Sequence, residues 1–79
     1  MIVKIFTIKE GLKLIEDVIA IRIKSGDYNL LILKDYLSIM GEIEGTIEIE
    51  TSSDKIKYDN IKAYYMNNNN QFNMIVENE

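Results

Sequence analysis

Residues 41–50 read GEIEGTIEIE and are followed by TSSDKIKY at residues 51–58. In the first segment, apolar and acidic residues alternate with a period of two, which is typical of a β-strand that buries one face. The apolar side holds Ile43, Gly45, Ile47 and Ile49, and the other side holds Glu42, Glu44, Glu48 and Glu50. The segment therefore predicts a strand with one buried face and one solvent-exposed face.

The second segment supplies a partner strand. If residues 51–54 (TSSD) form a four-residue hairpin loop, glutamates face lysines and isoleucines face apolar side chains. The predicted pairs are Glu50 with Lys55, Ile49 with Ile56, Glu48 with Lys57 and Ile47 with Tyr58. A shift of one residue would break every one of these matches, so the pattern predicts this register specifically.

The period of two extends over much of the remaining chain, which contains no proline. One apolar row holds Ile19, Ile21 and Ile23. This run stops at residues 25–27 (SGD), whose composition predicts a turn, and a strand resumes at Tyr28.

The N-terminal segment predicts another hairpin, with strands over residues 2–8 and 12–15 and a turn at residues 9–11 (KEG). A helix over residues 9–20 is the alternative, because some apolar residues there have helical spacing. The density of β-branched residues and the presence of Gly11 favour the strands.

The C-terminal segment predicts a last hairpin with residues 67–70 (NNNN) as its turn, because asparagine tolerates left-handed backbone conformations. A glycosylated or prion-like polar tract is the alternative for this run. The predicted pairs are Tyr65 with Phe72, Ala63 with Met74 and Ile61 with Val76. The opposite side of the hairpin carries Tyr64, Met66 and Ile75. Since apolar residues on both sides of a hairpin often mark a surface covered by a partner, we predict that these last three residues bind one.

Composition supports a folded, all-β domain. Hydrophobic residues make up 47% of the chain and isoleucine occurs 15 times, which is too apolar and too β-branched for a disordered segment. The 79 residues form one domain, residues 1–79. A single layer cannot cover the apolar faces of about eight to ten short, mostly antiparallel strands, so we predict a small β-sandwich, with a small closed barrel as the alternative.

The residue types limit the chemistry. There is no cysteine and no histidine, which removes disulfides, thiolate metal sites and the commonest general base. The glutamates could be cation ligands or an acid–base pair. However, alternate residues of a strand lie about 7 Å apart, and two of these glutamates face lysines, which favours a solvated face. The sequence therefore predicts no catalytic residue, no cofactor and no metal site.

Charge is uneven along the chain. Residues 1–40 hold six Lys or Arg against five Asp or Glu, whereas residues 41–79 hold three against eight. The net charge of −4 disfavours binding to the phosphate backbone of a nucleic acid, so nucleic acid is not an expected partner. The longest apolar run, residues 30–33 (LLIL), is far shorter than the roughly 20 residues that span a bilayer. No signal-peptide pattern precedes it, so we expect a soluble, cytoplasmic protein without direct membrane insertion.

The order of several segments matches a known family. They are residues 5–12 (IFTIKEGL), 16–18 (EDV), 31–39 (LILKDYLSI), 43–49 (IEGTIEI), 54–58 (DKIKY), 61–66 (IKAYYM) and 72–77 (FNMIVE). Over almost its whole length the chain resembles the N-terminal β-sandwich domain of the epsilon subunit of rotary F-type ATP synthases. The family's C-terminal helical hairpin has no counterpart in the chain.

The resemblance implies a non-catalytic subunit of the central stalk, which links the gamma subunit to the c ring without a cofactor. It implies ring-facing loops at residues 26–29 and 34–38, with the contact residues Asp27, Tyr28, Asn29, Lys34, Asp35 and Tyr36. The surface for the gamma subunit falls on the residues predicted above, namely Tyr64, Met66 and Ile75. The implied location is the cytoplasm, including the periphery of the inner face of the cell membrane, and a homo-oligomer is allowed for the isolated chain. A stand-alone β-sandwich adaptor that binds another protein and has no role in ATP synthesis is the competing interpretation.

Overall fold

The computed structural model describes residues 1–77, and these contain seven β-strands and no helix. The strands are β1 (Ile2–Thr7), β2 (Gly11–Ile15), β3 (Val18–Ser25), β4 (Asn29–Ile32), β5 (Ile39–Thr51), β6 (Lys55–Asn68) and β7 (Gln71–Val76). The all-β prediction is confirmed, and the alternative of a helix over residues 9–20 is wrong. Seven strands replace the expected eight to ten, because β5 and β6 are single strands of 13 and 14 residues.

All seven strands belong to one sheet, in the order β2-β1-β7-β6-β5-β3-β4. The pairing of β1 with β7 is parallel, and the other pairings are antiparallel, as expected for most strands. Within residues 1–77 the sheet is open, with β2 and β4 as its edges. The N-terminal strand therefore lies inside the sheet, between β2 and the C-terminal strand.

The sheet folds over on itself to form two layers. Buried side chains from all seven strands make one apolar cluster, which a flat sheet could not form. A straight strand as long as β6 would extend roughly 43 Å at about 3.3 Å per residue, but the longest dimension of the Cα trace is 28 Å. The long β5–β6 hairpin thus bends, and it contributes to both layers.

The bend of β5 coincides with a bulge, where the pairing with β6 shifts between Gly45 and Ile47. A Cβ atom at Gly45 would overlap the backbone carbonyl oxygen of Lys24 on β3, so only glycine allows this approach. Before the bulge, β5 belongs to the first layer, with β2, β1, β7 and the C-terminal half of β6. After the bulge it belongs to the second layer, with β3, β4 and the N-terminal half of β6.

The register predicted for the β5–β6 hairpin is confirmed. The structure pairs Glu50 with Lys55, Ile49 with Ile56, Glu48 with Lys57 and Ile47 with Tyr58. The loop is closed by the Thr51 amide, which donates to the Asp54 carbonyl oxygen at 2.8 Å, and by the Asp54 amide, which donates to Thr51 Oγ1 at 2.9 Å.

The register predicted for the last hairpin is wrong by two residues. The structure pairs Ala63 with Val76, Tyr65 with Met74 and Asn67 with Phe72. Only Asn69 and Asn70 form the turn, and both have positive φ, 49° and 60°, as a two-residue hairpin turn of type I′ requires. Since a two-residue shift keeps every side chain on its face, the predicted faces survive the error.

Two further residues differ from expectation. Ile19 is exposed, unlike Ile21 and Ile23, because the pairing of β3 with β5 is irregular between Val18 and Ala20. Asn67 belongs to β6 rather than to the turn, and it is buried. Its side-chain Nδ2 donates to the Leu37 carbonyl oxygen at 3.1 Å and holds the β4–β5 connection against the hairpin.

Candidate protein-binding face

The outer side of the first layer carries a continuous band of apolar side chains. Strand pairing aligns Leu12 with Phe6, Phe6 with Ile75, and Ile75 with Tyr64 across four neighbouring strands. The next row along the strands consists of Leu14, Lys4, Asn73, Met66 and Met40. We call the residues of these two rows, with Glu42 at the β5 end of the first, the apolar face.

The apolar residues of this face are well exposed, including Tyr64 at 48% and Ile75 at 58%. They have no place inside, because the inward positions of the same strands are already filled. Tyr65, next to Tyr64, is only 4% exposed and stacks on Phe72 with ring centroids 5.3 Å apart. Alternation within β6 therefore divides two adjacent tyrosines between the core and the surface.

A shallow groove of about 660 Å³ follows the apolar face. Its lining is Lys4, Phe6, Leu12, Met40, Gly41, Glu42, Tyr64, Tyr65, Met66, Asn73, Met74 and Ile75. The groove brings together Tyr64, Met66 and Ile75, as the sequence predicted. It also contains three apolar residues from outside the last hairpin that the sequence interpretation missed, namely Phe6, Leu12 and Met40.

Along β7, β6 and β5, polar residues border the apolar face on both sides, whereas on β1 the row that contains Gln71 ends at the exposed Ile2. On one side lie Glu77, Lys62 and Glu44, with the Glu77 amide donating to the Lys62 carbonyl oxygen at 2.7 Å. On the other side lie Gln71, Asn68 and Ser38, whose hydroxyl donates to Asn68 Oδ1 at 2.7 Å. An apolar centre inside a polar rim is the arrangement found in protein–protein interfaces.

The face is electrostatically asymmetric. The negative charges of Glu77 and Glu42 raise the pKa of the Tyr64 hydroxyl, which therefore stays protonated at neutral pH. Lys4 supplies positive charge on β1, at the other side of the central strands β7 and β6. Opposite charges thus lie at opposite sides of the apolar centre.

The outer side of the second layer is charged instead. Arg22 donates to Glu50 at 2.8 Å and lies 3.6 Å from Glu48, and Lys55 Nζ lies 3.9 Å from Glu48. The hydrogen bond from Arg22 lowers the pKa of the Glu50 carboxyl. Glu48 and Glu50 of the opening segment therefore lie on a solvated, ion-paired face, although their main partner is Arg22 from β3 and not only the lysines across the hairpin. Glu42 and Glu44 precede the bulge and lie at the apolar face and its border.

Of the residues assigned to the ring-facing loops, Asp27 and Tyr28 lie in the β3–β4 turn, and Asn29 is the first residue of β4. The Tyr28 hydroxyl donates to the Glu42 carbonyl oxygen at 2.6 Å and accepts from the Tyr65 hydroxyl at 3.0 Å. Burial raises the pKa of Tyr65, so this hydroxyl acts as a hydrogen-bond donor rather than an ionised group.

The second predicted loop is anchored elsewhere. The Asp35 amide donates to Asn70 Oδ1 at 2.6 Å, and Asn70 Nδ2 donates to Asp35 Oδ1 at 3.0 Å. Lys34 precedes this anchor and is exposed, whereas Tyr36 packs against the core. The loop residues therefore do not join Tyr64, Met66 and Ile75 on the apolar face.

No protein-family model matches the chain, and no curated protein matches it either. Among residues 1–77, no group of three or more acidic side chains is close enough to hold a metal ion. No helix in the described part of the chain is long and apolar enough to cross a membrane. The geometry of the apolar face suits binding, since it presents contact area and few hydrogen-bonding groups.

Proposed function

We propose that this protein is a non-catalytic interaction subunit that binds another protein chain through its apolar face. The observation that carries the proposal is the row of Leu12, Phe6, Ile75 and Tyr64, which crosses four strands and stays exposed above a filled core. A contiguous apolar surface of this kind lowers solubility unless a partner covers it.

The second layer provides an internal comparison. Its corresponding row runs from Leu31 through Arg22 and Glu48 to Lys57 and is largely charged. Both rows lie on strands with the same inward alternation, so folding alone does not require the outward residues of the first layer to be apolar. Binding supplies a physical reason for the difference.

Site-specific photo-crosslinking tests the proposal. Replacing Tyr64 with p-benzoylphenylalanine is expected to crosslink the chain to a protein under native conditions. The same replacement at Lys57, on the charged face, is the matched control and is expected to give little product. Equal crosslinking from both positions, or none from position 64, would argue against binding through the apolar face.

The finer assignment to a rotary ATP synthase stalk rests on the sequence resemblance. It names a gamma-like chain as the partner of Tyr64, Met66 and Ile75, and the c ring as the partner of the loops containing Tyr28 and Asp35. Under this assignment the protein works at the inner face of the cell membrane without inserting into it.

Co-purification separates the stalk subunit from the stand-alone adaptor. A tagged chain that brings down a gamma-like chain, and loses it when Tyr64 is replaced by alanine, supports the stalk role. A stable complex with a chain unrelated to ATP synthesis supports the adaptor. In either case, a Lys57→Ala variant is expected to retain the complex.

A further inference from the structure

We infer that the apolar face binds a second copy of this chain, face to face, about a twofold axis. The inference rests on the proposal that this face is a protein-binding surface, and it names the partner. Two features carry it: the placement of two opposite charges and the apolar centre between them. The size of the face sets the expected strength of association.

The first feature is charge. In the two rows of the apolar face, Lys4 and Glu42 are the only charged side chains, and their signs are opposite. They are three strands and one row apart, or about 16 Å, which is too far for an ion pair within one chain. Neither side chain takes part in an ion pair among residues 1–77.

The opposite signs and the separation of these charges allow a twofold arrangement. The central strands of the face are β7 and β6, and β1 and β5 lie one strand beyond them on either side. Lys4 lies on β1 in one row, and Glu42 lies on β5 in the other row. A twofold axis that lies in the plane of the face, crosses its middle between β7 and β6, and runs perpendicular to the line from Lys4 to Glu42 brings Lys4 of each copy to Glu42 of the other, so that the strands of the two copies cross obliquely. Isologous interfaces require this kind of self-complementarity.

The same axis brings the apolar centres together. Ile75 and Tyr64 pair directly across β7 and β6, next to the position of the axis. Two copies would therefore bury these side chains against each other, with Met66 beside them. One Lys4–Glu42 pair would lie on each side of this apolar centre. Charged pairs at the border of an apolar centre fix orientation more than they add affinity.

The size of the face predicts a weak dimer. Five strands about 4.8 Å apart and two side-chain rows about 7 Å apart give a face of roughly 340 Å² per copy. Two such faces fall below the roughly 1,200–2,000 Å² of stable interfaces. The net charge of −4 on each copy also opposes association. We therefore expect a dissociation constant on the order of micromolar or weaker.

Analytical ultracentrifugation of charge-reversed variants tests the inference. The variants are Lys4→Glu and Glu42→Lys, each alone, mixed in equal amounts, and combined in one chain. Each single variant places like charges at both contacts of its own dimer. The mixture forms a heterodimer in which both contacts are again opposite in charge, and so does the homodimer of the double variant.

The expected result is a concentration-dependent dimer for the unchanged chain, weakened at least about tenfold in each single variant. The equimolar mixture and the double variant should recover it. Lys57→Glu changes the net charge by the same amount as Lys4→Glu but lies on the charged face, so it should leave the dimer unchanged. Far-UV circular dichroism checks that each variant is folded.

Two outcomes would overturn the inference. One is a monomer at all concentrations, and the other is a dimer that the charge reversals and their mixture do not alter. If the chain is monomeric and position 64 still crosslinks to a different protein, the second copy is excluded while the protein-binding role stands. If position 64 crosslinks to nothing, both the dimer and the protein-binding role of the apolar face are excluded.

Discussion

Gly45 is the residue on which the two-layer arrangement depends most directly. It lies at the β5 bulge, where the strand leaves the first layer, and its α-carbon faces the backbone carbonyl of Lys24. The neighbouring backbone is held by pairing on both sides, so it cannot move away without breaking the sheet. A single missing side chain therefore permits the close approach of two strands.

Gly45→Ala is expected to lower the free energy of unfolding by about 1–3 kcal/mol or more, because the added methyl group overlaps backbone atoms. Gly26→Ala is the control, since nothing lies within 4 Å of the position where its Cβ would be. Urea denaturation of both variants measures the difference. Equal stability of the two would contradict this account of the bulge.

Arg22 and Glu50 predict a pH dependence. The hydrogen bond from Arg22 lowers the pKa of Glu50 in the folded state below its unfolded value. The stabilisation is therefore present above the unfolded pKa and is lost as the pH falls through the folded one. Arg22→Gln should be less stable at neutral pH, and its melting temperature should fall less steeply between about pH 5 and pH 3.

Thermal unfolding across this pH range, at low and at high salt, measures the effect. Salt should reduce the difference between the two proteins, because Arg22 is exposed and Glu50 is only partly buried. If the melting temperatures of the two proteins changed with pH in parallel over the whole range, the Arg22–Glu50 pair would not contribute to the pH dependence of stability.

Among the elements, β6 offers the clearest test of whether the residues that stabilise the fold differ from those proposed to bind a partner. Consecutive residues of its C-terminal half point alternately into the core and onto the apolar face. Tyr65 stacks on Phe72 and donates its hydroxyl to Tyr28, whereas Tyr64 contributes to the exposed band. The two tyrosines have the same chemistry and different environments, which makes them a matched pair.

Tyr65→Ala should lower the free energy of unfolding by about 3–5 kcal/mol, since it leaves a cavity in the core. Tyr64→Ala should change it by less than about 1 kcal/mol and should weaken association by more than about 1 kcal/mol. Chemical denaturation at low protein concentration gives the first quantity, and titration with the partner gives the second. A severe loss of stability in Tyr64→Ala would remove the main reason for assigning the apolar face to binding.

At the scale of the whole molecule, the folded sheet presents two unlike outer surfaces. The second layer exposes an ion-paired network around Arg22, Glu48 and Glu50. The first layer exposes the apolar face. Because the same core lies under both, each surface can change without the other, and the molecule can dedicate one side to solvent and one to a partner.

The ion-paired surface leads to a prediction about metals. Millimolar calcium, magnesium or zinc is expected to leave the melting temperature unchanged, because Arg22 and Lys55 already lie beside Glu48. A metal site filled at 100 times its dissociation constant would add about 2.7 kcal/mol to the free energy of unfolding. Calorimetry after chelator treatment, with sodium chloride at matched ionic strength as the control, would detect a stabilisation of that size.

The sequence by itself determined the features that depend on neighbours along the chain. Alternation identified the strands, and the charges around residues 51–54 fixed the register of the β5–β6 hairpin, because a slip would have reversed every pair. Alternation also placed Tyr64 and Tyr65 on opposite faces. The asparagine turn was located but not its length, since any even shift keeps the faces unchanged.

Only the tertiary structure decided which distant segments become neighbours and which of their side chains stay exposed. The parallel pairing of β1 with β7 sets Phe6 beside Ile75, and the β1–β2 hairpin adds Leu12 to the same row. Apolar residues occur on both faces of β1, so its sequence did not indicate which face would be exposed to solvent. That choice depends on which strands cover each other after the bend at Gly45. The apolar face is therefore a property of the fold, because contacts between residues far apart in the chain determine what remains exposed.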